Sequence, residues 1–181
     1  MKNKYFLAIV LPQPYLDEVE QIKQQLHYHF GLKGAMRSPS HITLHMPFEL
    51  QNKNEPVLIN SLKKIKFDVP IEIKSNGFSA FDQRVIFIDI QLNEALISFQ
   101  KLIVKHLATN FNLENEIGNA RGFHPHITVA FRDLKKKQFK EVKSFLTSFN
   151  SNLEFIAINF SILKLNENWQ ILESFPLSSS H

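Results

Sequence analysis

One tetrad is written twice in this chain, and each copy stands at the same point in the same succession of elements. The copies are His41-Ile42-Thr43-Leu44 and His126-Ile127-Thr128-Val129, and they start 85 residues apart in a chain of 181. Ahead of the first, residues 5–11 form a β-branched and aromatic run. A helical face follows, made by Leu16, Val19, Ile22, Leu26 and Phe30. Ahead of the second, residues 85–90 form a continuous apolar run, followed by a face of Leu92, Leu96, Phe99, Ile103 and Leu107. A breaker-rich loop then leads into each tetrad: residues 33–40, opened by Gly31 and Gly34, and residues 110–123, with Gly118 and Gly122. After each tetrad come a polar link, a helix and further strand. The first copy has Leu58, Leu62 and Ile65, then a strand over 67–81. The second has Phe139, Val142, Phe145 and Phe149, then strands over 153–165 and 169–176 that meet at Asn166-Glu167-Asn168.

A repeat of this kind decides the architecture. Two copies of strand, helix, loop, His-x-Thr strand, helix and strands predict an α+β fold, with two small antiparallel sheets and the helices outside. If a pseudo-twofold axis relates the copies, the two His-x-Thr strands lie side by side across a central cleft. The expected organisation is a single bilobal domain over residues 1–177, with repeats at 5–81 and 84–177 and a disordered tail at 178–181.

Composition narrows the class. With 44% hydrophobic and 21% charged residues the chain is globular in type, and its length suits one domain. It has no cysteine, which removes disulfides, thiolate zinc sites and a cysteine nucleophile, and fits a reducing compartment. The apolar run near the N-terminus stops at Pro12 without a small-residue cleavage site, so it reads as a buried strand. No stretch approaches the ~18 apolar residues of a membrane span. A soluble cytoplasmic protein is expected, monomeric, with no protein partner and no membrane association. The net charge of +4 and a pI near 9.2 suit a phosphate-bearing ligand and equally a mildly basic surface.

Eight histidines and four threonines placed at random would give roughly 0.2 His-x-Thr pairs, so two with isoleucine in the middle are not chance. Residues i and i+2 of a strand share a face. His41 and Thr43 therefore point together, as do His126 and Thr128, while Ile42, Leu44, Ile127 and Val129 point into the core. A lone pair of this kind is usually just polar strand surface. Packing, however, gives no reason to repeat histidine and threonine on the cleft side of both copies. Two imidazoles on opposite sides of one phosphorus can serve as general base and general acid, and an unperturbed pKa of ~6.5 suits both roles. The hydroxyls can hold the non-bridging oxygens. Such chemistry requires no metal and no cofactor, and no carboxylate cluster near the tetrads suggests a metal site.

These tetrads, their spacing and the opening Tyr5-Phe6-Leu7-Ala8-Ile9-Val10-Leu11-Pro12 resemble the two-histidine (2H) phosphoesterase superfamily. The similarity is to its bacterial 2'-5' RNA ligase-like (LigT-like) branch of RNA 2',3'-cyclic phosphodiesterases. The closing strand, ending Phe175-Pro176-Leu177, is similar too. The resemblance implies a bilobal 2H phosphoesterase-like fold and metal-independent hydrolysis of 2',3'-cyclic phosphodiesters at RNA ends or in small cyclic nucleotides. It also implies that His41 and His126 form the acid–base pair, with Thr43 and Thr128 on the phosphate. It does not assign which histidine is the base. Alternatives are hydrolysis or ligation of 2'-5' linked oligonucleotides in the same groove, and an RNA 3'-end binding module without turnover.

In that branch an arginine follows the second motif directly after an alanine. Here Ala130 is followed by Phe131, and Arg132 comes one place later. Its even offset from His126 would set Arg132 on the cleft side of an unbroken strand, as a phosphate contact or a solvated charge. By the same alternation His45 continues the His41 face. Arg37 and Arg121 sit in the loops before the tetrads, and Phe48, Phe123 and Phe131 flank them.

Overall fold

The helices begin and end where local chemistry stops them. The computed structural model describes residues 1–115 and 122–178. Within these, β1 (Lys2–Val10) leads to α1 (Tyr15–Phe30), β2 (His41–Gln51), α2 (Glu55–Leu62), β3 (Ile71–Phe81) and β4 (Val85–Ile90). Then follow α3 (Glu94–Phe111), β5 (His126–Ala130), α4 (Lys136–Leu146), β6 (Glu154–Ala157), β7 (Asn159–Leu165) and β8 (Trp169–Pro176). Helix α1 closes on Gly31 at φ 72°, whose N–H returns to the His27 carbonyl at 2.8 Å, the left-handed stop glycine favours. Helix α3 starts only after Asn93, whose side-chain oxygen accepts the Leu96 N–H at 2.9 Å, a cap worth about 1 kcal/mol. Leu92 therefore precedes the helix and is exposed instead of completing its core face.

The strands form two four-stranded sheets, ordered β2-β1-β7-β8 and β5-β4-β3-β6, with every neighbouring pair antiparallel. The two orders match strand for strand when β1 is exchanged with β4, β2 with β5, β7 with β3 and β8 with β6. Each sheet takes strands from both halves of the chain: β3 joins the second sheet, and β7 and β8 join the first. The single strand expected over 153–165 is in fact two. β6 pairs with β3 and β7 pairs with β1, and the chain changes sheets at Ile158, which is exposed. Apolar alternation runs on through that point, so the sequence pattern does not mark the break.

The main core lies on one face of each sheet and includes the buried faces of all four helices. Helix α1 of the first half packs on β5 and α3 of the second half packs on β2. A second, smaller cluster of Phe6, Ala8 and Leu163, with Val10 and Trp169 against it, lies on the other face of the first sheet. Ala8 pairs with Thr43 and Val10 with His41, so this cluster paves the same face that carries the first motif. The first strands of their sheets, β2 and β5, touch one another along the middle of the molecule. Among the described residues no helix is long and apolar enough to cross a membrane.

Candidate active site

Immediately after each motif threonine the strand bulges. In the first sheet Ala8 lies opposite Thr43 and Leu7 opposite His45, which leaves Leu44 as the extra residue. In the second sheet Phe87 lies opposite Thr128 and Ile86 opposite Ala130, which leaves Val129. A bulge places two residues against one and resets the alternation. His41, Thr43, His126 and Thr128 are thus the partly exposed positions, and both residues beyond each threonine turn inward: Leu44 and His45 are buried, as are Val129 and Ala130.

The bulge corrects two expectations drawn from strict alternation. His45 leaves the His41 face and is 1% exposed, edge-on to Phe48, with Nδ1–H donated to the Met46 carbonyl at 2.9 Å. Its buried Nε2 has no partner in hydrogen-bonding geometry, and burial lowers its pKa. Strand β5 stops at Ala130, and Arg132 takes φ 68° while the Asp133 N–H bonds the Phe131 carbonyl at 2.9 Å. That is a γ-turn centred on arginine, a strained conformation for a residue with a Cβ. Arg132 therefore lies beyond the strand, where alternation does not set its direction.

The two motif histidines are held the same way. The Nδ1–H of His41 donates to the Pro39 carbonyl at 2.6 Å, and that of His126 to the His124 carbonyl at 2.7 Å, each two residues back. A carbonyl can only accept, so Nδ1 carries the proton and Nε2 is the nitrogen free for proton transfer in the neutral ring. Aromatic rings brace both imidazoles. Phe6 lies 4.7 Å from His41, with Trp169 4.7 Å beyond it, and Phe87 and Phe81 lie 4.9 and 5.3 Å from His126. Neither Thr43 nor Thr128 spends its hydroxyl on another described residue.

Electrostatically the two rings differ. Burial is the main reason that His41 falls to about 4. The Pro39 carbonyl opposes the fall, whereas the Lys23 ammonium and the charge on His126 add to it. The action of His126 on His41 places the two imidazoles within electrostatic reach of one another. Lys23 is a lysine buried on α1, 2.9 Å from Glu20 and 3.1 Å from the Ser38 carbonyl. The same Glu20 oxygen accepts the Ser40 N–H at 2.7 Å and hydroxyl at 2.8 Å. This network clamps the turn whose Pro39 carbonyl orients His41. His126 is also lowered, first by burial; the His124 carbonyl opposes the fall, the His124 ring adds to it, and the Asp89 carboxylate favours the charged form. Asp89 pairs with His124 at 2.8 Å.

The loop before each motif reaches the far end of the other motif strand. Asn115, ahead of β5, accepts the Met46 N–H at 3.1 Å. At the opposite end the Asp133 carboxylate accepts the N–H groups of Lys33 and Gly34 at 2.7 and 2.9 Å. Gly34 packs so close that a Cβ there would come within 2.1 Å of the Phe131 carbonyl oxygen. This junction opens into a cavity of about 510 Å³, lined among others by Lys33, Arg37, Arg132 and Asn168. Arg37 and Arg132 thus meet here, and Arg121 lies outside the described residues. Phe48 is core, while Phe131 is exposed beneath the Arg132 guanidinium. Sequence reasoning missed Lys23, Glu20 and Asp89. The Glu20–Lys23 spacing of three on a helix was the available signal for the first two. Among the described residues no group of three or more His, Asp or Glu side chains is arranged to hold a metal ion.

A family model described as the 2'-5' RNA ligase superfamily matches residues 11–169. Among curated proteins, one from Geobacillus kaustophilus, named for an inferred phosphoesterase activity, is 28% identical over 177 residues and covers 95% of both chains. A second from another Geobacillus strain, named likewise, is 25% identical with the same coverage. Among solved structures, E. coli LigT complexed with 3'-AMP has a TM-score of 0.66 at 20% identity, covering 99% of this chain and 100% of that one. A protein of Thermus thermophilus has a TM-score of 0.65 at 18% identity, covering 98% and 100%.

Proposed function

This chain belongs to the 2'-5' RNA ligase superfamily, and on that premise we propose that it is a phosphodiesterase that opens 2',3'-cyclic phosphodiesters at RNA ends or in small cyclic nucleotides. The observation that carries the reading is the pair of His-x-Thr strands. Each has its imidazole Nδ1 tied to a backbone carbonyl, and so its Nε2 free for the substrate. The names of the Geobacillus relatives and the 3'-AMP complex of LigT support the same class.

In this scheme the cyclic phosphate sits between the two rings. One neutral imidazole takes a proton from water through Nε2 as the water oxygen bonds phosphorus. The other, protonated, gives its Nε2 proton to the departing ribose oxygen as that P–O bond breaks. One proton enters the pair and one leaves, so the ring charges exchange and solvent resets them. Thr43 and Thr128 donate to the non-bridging oxygens, where negative charge grows in the transition state. No step is routed through a metal or cofactor.

The test is hydrolysis of a panel of 2',3'-cyclic nucleotides by EDTA-treated protein, with identification of the product isomer. Turnover that survives EDTA and falls in His41→Ala and His126→Ala supports the reading, and full activity in either variant overturns the mechanism. The family's description makes 2'-5' linkages the second reading, and a 2'-5' linked dinucleotide cleaved faster than any cyclic substrate favours it. Salt-dependent capture of 3'-phosphorylated ends without cleavage identifies a binding module instead.

A further inference from the structure

From the cavity at the Gly34–Arg132 junction we infer a second phosphate subsite, which makes this protein selective for nucleotides carrying another phosphate 5' to the cyclic one. The inference rests on the function proposed above, since a 2',3'-cyclic phosphate ends its chain and any further phosphate of the same molecule lies on its 5' side.

Three independent features converge there. The first is charge. Lys33, Arg37 and Arg132 line the cavity with His27, against the single carboxylate of Asp133. That carboxylate is turned toward two backbone N–H groups, those of Lys33 and Gly34. The second is construction. A γ-turn puts Arg132 at φ 68° and stacks its guanidinium 5.1 Å from the Phe131 ring centroid. The Gly34 backbone and Asp133 lock that turn from the other side, because nothing larger than glycine fits against Phe131. Strain held by surrounding structure is the pattern found where a side chain is aimed for use. The third is position. Asn168 in the cavity wall adjoins Trp169, which packs on Phe6, which packs on His41. Arg37 stands four positions from His41 and Arg132 four from Thr128, at most about 14 Å of chain in either case. A guanidinium presents parallel N–H donors to phosphate, so two arginines and a lysine suit a phosphodiester or a terminal phosphate equally.

The experiment compares three substrates: a nucleoside 2',3'-cyclic phosphate with a free 5'-hydroxyl, the same compound with a 5'-phosphate, and a dinucleotide ending in the cyclic phosphate. We expect kcat/KM at least tenfold higher for the second or third than for the first. If the 5'-phosphate alone confers the gain, the subsite takes a terminal phosphate; if only the dinucleotide does, it takes an internodal phosphodiester. The ratio between favoured and unfavoured substrates should collapse in Lys33→Ala/Arg37→Ala, which removes two exposed side chains and one exposed hydrogen bond, from Arg37 to the Glu167 carbonyl at 3.2 Å, so the fold is checked by its melting temperature. No preference in the wild type, or a preference the double variant keeps, overturns the subsite. Calorimetric binding of a 3'-phosphorylated dinucleotide against a 3'-mononucleotide separates this from the catalytic reading. Tighter dinucleotide binding, with a log K against log salt slope that falls by about 0.7 per cation removed, upholds the subsite even where nothing is cleaved. Equal binding by wild type and double variant removes it.

Discussion

Beside His41 the protein sets a buried lysine paired with Glu20; near His126 it sets a more exposed histidine, His124, paired with Asp89. Everything else about the two motif strands is nearly interchangeable. Each ring gives its Nδ1 proton to the carbonyl two residues back, each leans on phenylalanine, and each threonine is followed by the same one-residue bulge. The contrast teaches that the two copies keep backbone geometry in common and differ in electrostatics. Under the proposed mechanism the two rings carry opposite protonation states at one moment, which unlike surroundings favour.

The strongest test of equivalence is to remove each ring in turn. His41→Ala and His126→Ala should each lower kcat/KM by about 10²–10⁴-fold, with the double variant little worse than the singles, because the proposed mechanism makes the two one unit. Additive losses measured across the four proteins would mean that the rings work independently.

The two cross-links between the halves offer a second comparison. Gly34→Ala drives a methyl group into the Phe131 carbonyl and should cost about 1–3 kcal/mol in urea unfolding. Asn115→Ala removes one exposed hydrogen bond and should cost about 0.5–1.5 kcal/mol. A reversed order would show that the junction at Arg132 is the softer end.

Proton linkage comes next. The His41 pKa falls from 6.5 unfolded to about 4 folded, so the folded state binds fewer protons. Its contribution to stability is intact above pH 6.5 and lost as pH falls from there toward 4. Between pH 7.5 and 5 the wild type should lose up to about 2 kcal/mol more than His41→Ala, as followed by unfolding at each pH. Binding of inorganic phosphate near pH 7 should draw a proton into the site, since an anion favours imidazolium. Calorimetry in buffers of differing ionisation enthalpy reads that uptake.

The smallest effect is the most specific. Lys23→Met should raise the His41 pKa and Asp89→Asn should lower that of His126, as read by NMR titration. Shifts of the same sign would erase the electrostatic distinction between the strands.

The paired His-x-Thr strands and the α+β layering were legible because period-two alternation and duplication are both written in residue types. What was not legible is backbone register. Neither Leu44-His45 nor Val129-Ala130 contains a glycine or proline to announce a bulge, so alternation carried His45 to the wrong face and was run on to Arg132, beyond the strand's end. The change of sheets at Ile158 was hidden by apolar residues that suit either sheet. Lys23 reads in sequence as one more charge on an amphipathic helix. Only the nearness of Ser38 and Ser40, fifteen and seventeen residues on, turns it into a buried clamp.

The exchange of strands between the sheets bears on the way this groove can be handled by a substrate. A chain severed near residue 83 would yield two fragments, neither owning a complete sheet, for β3 would leave with one piece and β7 and β8 with the other. The two halves of the chain are thus interleaved, like the fingers of clasped hands, and parting them means drawing β3, β7 and β8 out of their ladders. Refitting such a frame to a new ligand is a task for the loops around residues 33–40 and 131–135, which can change while every ladder stays in place.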